Sequence, residues 1–177
     1  MDGQEALGAA SDSFTSMVDH GSWARFTPSL ASFLATLSGP RSSPSPAGLD
    51  ARAGLMILLT APAPAAAREA LGRRRGLRAI LAPQGRPEVS PELPGMIVLG
   101  RGGGVEVALP IVDESGRFLL DDAMRHALGN LGWESDGEVM RQAFDSAARA
   151  AEVMTRALIE VLRVPHPADL DHLIAQA

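Results

Sequence analysis

The 177-residue chain contains no cysteine. That excludes a disulfide framework, a thiolate nucleophile and any zinc site built on sulfur ligands, so stability has to come from packing. Lysine and tyrosine are absent as well, and every strongly basic side chain is an arginine. Together with the alanine, glycine and proline content this pattern fits a genome of high GC bias, so the arginines report codon usage before they report a ligand. Positive charge is in deficit: the net charge is −5, which argues against a broad basic face for nucleic acid. No apolar run approaches the roughly 20 residues that cross a bilayer. The N-terminus MDGQEALGAASDSF lacks a basic start followed by an apolar block, so cytoplasmic residence is the expectation.

What is present is a hydrophobic fraction of 46% against a charged fraction of 21%, ordinary for one globular domain with a sizeable core. The most ordered pattern runs from Gly137 to Val164. Met140, Phe144, Ala147, Ala151, Met154, Leu158 and Val161 recur at steps of four and three, which predicts one buried stripe along a long helix. Glu138, Arg141, Asp145, Arg149, Glu152, Arg156, Glu160 and Arg163 follow their own rhythm with alternating sign, as a solvated face does. A second stripe, Trp23, Phe26, Leu30, Phe33, Leu34 and Leu37, predicts a helix opening near Ser22 or at Thr27–Pro28 and ending at Gly39–Pro40. Residues 1–21 read as a mobile or weakly helical arm that adds little to the core, and residues 39–53 as a Pro/Ser-rich loop.

The middle of the chain changes period. LMILLT at 55–60, LRAILA at 77–82, MIVLG at 96–100 and VEVALPIV at 105–112 are short apolar runs bounded by Gly and Pro, the grammar of strands. Pro64 opens an alanine-rich segment that reads as a short helix, RGGG at 101–104 joins two strands as a tight hairpin, and residues 120–131 return to helix with Asp121 or Asp122 at its positive end. The expected architecture is α+β: an antiparallel sheet of four to five strands with helices packed on one face, in a single domain over residues 22–177.

No constellation points to a reaction. The glycines at 102–104 pass into a strand rather than a helix, so they fit a turn better than a phosphate cradle. His166 and His172 lie six residues apart, not at the i,i+4 spacing of paired metal ligands on a helix. His20 and His126 have no catalytic context, and no nucleophile elbow accompanies the serines. No catalytic residue, metal or cofactor is therefore expected. Two candidate surfaces remain. Trp23, Phe26, Leu30, Met140, Phe144, Met154 and Leu158 are core or partner-interface candidates, since flexible methionine beside small alanine suits an irregular partner. Arg73, Arg74, Arg75, Arg78 and Arg101 are the candidate anion contacts.

Leu131, Gly132 and Trp133 closing one helix, the helix that follows, and the run VLRVPHPADL at 161–170 resemble the TY-Chap domains, a type III secretion chaperone-like family common in high-GC bacteria and distantly similar to YbjN. The helix carrying Trp23, Phe26, Leu30 and Leu37 also resembles the first helix of that family. The resemblance implies a compact α+β domain, often dimeric, that binds protein and has no catalytic residues to transfer. The expected function is a non-enzymatic chaperone-like or adaptor domain for a protein or peptide partner, in homodimeric form or not, without nucleic acid or membrane. The alternative is a small anion- or nucleotide-binding sensor or enzyme with an Arg-lined pocket.

Overall fold

A computed structural model describes residues 11–38, 55–60, 90, 92–101 and 103–176. Among these, six strands form one antiparallel sheet: β1 (Leu55–Thr60), β2 (Met96–Arg101), β3 (Gly104–Pro110), β4 (Glu134–Asp136), β5 (Val139–Phe144) and β6 (Asp171–Gln176). Their spatial order is β4-β5-β3-β2-β1-β6. The α+β class is as the sequence predicts, with one strand more than the upper expectation. The Pro64 helix, the 77–82 strand and the 39–53 loop lie outside the described residues.

The helices α1 (Trp23–Leu37) and α3 (Ala147–Arg156) pack on each other and on the same face of the sheet, while α2 (Asp122–Asn130) packs beside β4. On α1 the buried side chains are Phe26, Leu30, Phe33, Leu34 and Leu37. Ala150 and Ala151 of α3 are fully buried, and such small side chains let two helices approach closely. Thr27 Oγ1 donates to Thr155 Oγ1 at 3.0 Å in the partly buried seam between them. The α1 helix opens at Ser22, not at Thr27, so Pro28 lies inside it. Pro28 is the sixth residue of the helix, past its first turn, and its missing N–H leaves the Ala24 carbonyl without the i→i−4 donor that a regular helix supplies.

The long helix expected from Gly137 to Val164 is corrected: its first third is a strand. Gly137 and Glu138 form a tight two-residue turn, with Gly137 at φ 62°, and β4 pairs back on β5 through Glu134↔Arg141 and Asp136↔Val139. Met140, Gln142 and Phe144 therefore share one side of β5 by a period of two, although Met140 and Phe144 also satisfy a helical i,i+4 step. The helix proper begins after Ser146, whose hydroxyl accepts from Arg149 N. It widens into a π-helical turn over Ala157–Val161, where Leu162 N donates to Ala157 O at 2.9 Å. Its outer side carries the expected pairs, Arg149–Glu152 and Arg156–Glu160.

The arm is corrected in its packing. Residues 11–17 are helical, one of the two expected forms, but Phe14 and Val18 are buried members of the core. Phe14 packs edge-on against Phe33 at 5.0 Å and lies against the His172 ring at 4.5 Å. A segment with one aromatic and little else apolar is thus tied to the body chiefly by Phe14, with Val18 buried beside it.

Candidate functional site

Strand register sorts the sheet into two faces. Toward the helices point Ile57, Leu59, Met96, Val98, Val105, Val107, Leu109, Met140, Phe144 and Ile174, all buried. The opposite face is apolar too. Met56 pairs with Leu99 and Ala175, and Leu58 pairs with Ile97 and Leu173, while Ala108 stands opposite Ile97. Met56, Leu58, Ile97 and Leu99 are half-buried, and Leu173, on the outer strand β6, is 60% exposed. Among the described residues no helix packs on this outer face.

A cleft of about 710 Å³ lies at one end of the outer face. Leu58, Ile97, Leu93, Val112 and Leu119 supply its apolar lining, with Glu92 and Glu114 at the rim. One wall is the loop 111–119, whose shape is set by Asp113. That carboxylate accepts from Ser115 N at 2.9 Å, Ser115 Oγ at 2.8 Å, Arg117 N at 2.9 Å and Arg117 Nε at 2.7 Å. Desolvation alone pushes the Asp113 carboxyl up, but hydrogen bonds from the Arg117 backbone, Ser115, the Arg117 guanidinium and Ser90 outweigh it. They hold the group well below the usual carboxylate range. The other wall is tied to the first, because Ser90 N donates to Phe118 O at 2.7 Å. Gly95 supplies a close approach: a Cβ there would stand 2.4 Å from Leu58 Cδ1.

At the opposite end of the face charges neutralise one another. Arg101 pairs with Glu106, and Arg141 pairs with Asp136 while lying 4.0 Å from Glu106. Arg101, a candidate anion contact, is thus engaged by a carboxylate. The hairpin it begins closes as expected, with Arg101 opposite Gly104 and Gly103 at φ 95°. Arg73, Arg74, Arg75 and Arg78 lie outside the described residues.

The apolar candidates sit elsewhere than on a surface. Phe26, Leu30, Met140, Phe144, Met154 and Leu158 are buried in the chain's own core, and Trp23 is packed against it with its indole N–H on Pro165 O at 3.3 Å. The residues of the outer face were not singled out by sequence. Their signal was available: LMILLT and MIVLG are unbroken apolar runs, and a strand apolar at consecutive positions presents oil to both faces of its sheet.

Helices on one side and, on the other, an apolar side that no helix covers among the described residues define an α+β domain suited to holding a polypeptide. Residues 17–173 match the model of TY-Chap3, described as T3SS (YopN, CesT) and YbjN peptide-binding chaperone 3. The chain belongs to this family of peptide-binding chaperones. Comparison with curated proteins and with solved structures returns no match.

Proposed function

We propose that this chain captures an extended segment of a partner protein on the outer face of its sheet, as a non-enzymatic chaperone-like or adaptor domain. The observation that carries this is the row Met56, Leu58, Ile97, Leu99 and Leu173, outward-facing and without a helix across it among the described residues. Burying a leucine side chain contributes about 1.5–3 kcal/mol. An extended segment crossing this row therefore has enough apolar area to bind, and the edge of β6, unpaired among the described residues, offers backbone hydrogen bonds beside it.

The test is an array of overlapping 15-residue peptides of mixed composition, probed with the full chain and with its Leu99→Arg and Leu173→Arg variants. Selective binding to apolar segments, weakened at least about tenfold by either substitution with far-ultraviolet circular dichroism unchanged, supports the reading. Binding indifferent to both substitutions, or no binding to any peptide, overturns it. A second copy of the chain is the competing occupant, and a monomer in sedimentation velocity leaves the face to a partner segment.

A further inference from the structure

We propose that the cleft at the end of the outer face selects, within a bound segment, an apolar side chain flanked by arginine or lysine. This rests on the peptide-binding reading above and adds a sequence preference to it.

The floor and the rim ask for different chemistry. Leu58, Ile97, Leu93, Val112 and Leu119 line a cleft whose volume of about 710 Å³ falls in the range of pockets that enclose a small ligand or a few side chains. An apolar side chain entering there loses water against five hydrophobic neighbours. The rim is acidic and unspent. Glu92 and Glu114 are exposed cleft residues, and neither carboxylate has an ion-pair partner among the described residues. The nearest cation along the same loop, Arg117, is committed to Asp113 through Nε at 2.7 Å. Asp171, opposite Thr60 at the same end of the sheet, adds a further negative charge. The other end of the face contrasts with this, since Arg101 and Arg141 are paired there with Glu106 and Asp136. Along an extended segment neighbouring side chains alternate sides about every 3.3 Å. A residue next to the one buried in the cleft can therefore reach the rim.

Like charge at an interface is rejected and opposite charge is accepted with a faster encounter. A basic flank satisfies Glu92 and Glu114, whereas an acidic flank meets two uncompensated carboxylates. The chain's net charge of −5 works in the same direction at long range. Exposed pairs are individually weak, so two of them together give a preference of roughly tenfold.

Fluorescence anisotropy with three labelled 11-residue peptides tests this. The peptides share an apolar centre and differ only in flanking residues: arginine, glutamine or glutamate. The full chain is compared with the Glu92→Gln/Glu114→Gln double variant and with Leu58→Asp. The expected order of affinity is arginine over glutamine over glutamate, with about tenfold between the extremes at low salt and less at 0.5 M salt. In the double glutamine variant the order collapses while the glutamine-flanked peptide still binds. In Leu58→Asp all three peptides weaken. Equal binding of the three peptides by the full chain overturns the charge preference and leaves the peptide-binding reading standing. A persistent order in the double variant also overturns it, because the preference then arises elsewhere. Failure of all three peptides here and of every sequence on the array overturns both.

Discussion

At the scale of single residues, two positions are held against their ordinary tendencies. Arg163 has φ 56°, a left-handed conformation that costs a non-glycine residue about 1–2 kcal/mol. It ends the π-helical turn so that Val164 N can donate to Leu158 O at 2.9 Å, and its exposed side chain makes no hydrogen bond among the described residues, only a charge contact with Glu160. Arg163→Gly removes the steric penalty and loses some chain entropy, so a gain of up to about 1 kcal/mol is expected in urea denaturation. Asp113 is the other. Its carboxyl is depressed in the folded chain, so its contribution is fully present above the ordinary carboxylate range and is lost as pH falls below it. Asp113→Asn keeps the shape but weakens the charge-assisted bonds to Ser115 and Arg117. It should loosen the loop 111–119 and lower affinity for apolar peptides at pH 7, read by anisotropy, while the amides of α3 keep their hydrogen-exchange protection.

At the scale of elements, the legible parts were those whose pattern has one solution. The α1 stripe, the runs at 55–60 and 96–100, the RGGG hairpin and the Asp121 cap of α2, which accepts from Met124 N at 2.8 Å, all follow from period and turn chemistry. The β4–β5 hairpin was hidden because Met140 and Phe144 satisfy both a helical and a strand spacing. The local arbiter is Gly137 at the first position of the two-residue loop, where a hairpin turn needs positive φ. The same ambiguity hid the site, since period alone separates a buried from an exposed stripe but does not say which oil faces a partner. Sheet geometry also fixes residues that composition leaves mute. A Cβ on Gly104 would lie 2.5 Å from the Phe144 carbonyl oxygen of β5, and a backbone atom has no room to give. Gly104→Ala should separate β3 from β5 locally and destabilise the chain by about 2 kcal/mol or more, measured as a lower denaturation midpoint.

At the scale of the whole molecule, the N-terminal segment closes the fold onto its last strand. Phe14 lies between Phe33 and His172, with His20 at 6.0 Å, and Ser11 Oγ and Thr15 Oγ1 each stand 3.4 Å from His172 Nε2. Truncation by Phe14→Ala removes a buried aromatic worth about 3–5 kcal/mol, and it should release residues 11–18 before the rest unfolds. Protonation of His172 should do the same more gently. Desolvation, and next the nearby His20, lower its pKa in the folded chain against the opposing pull of Asp171. The undocked state then binds more protons than the docked one, so docking strengthens as pH rises. The docked arrangement is at full strength above the ordinary histidine range. It weakens as pH falls through about 6.5 toward the depressed folded value. Hydrogen exchange at the Val18 amide, which donates to Phe14 O at 2.9 Å, should therefore quicken at pH 5 relative to pH 7.5 after correction for intrinsic rates. In His172→Gln, which cannot be protonated, that residual pH dependence should disappear. An unchanged pH dependence in this variant would overturn the assignment to His172.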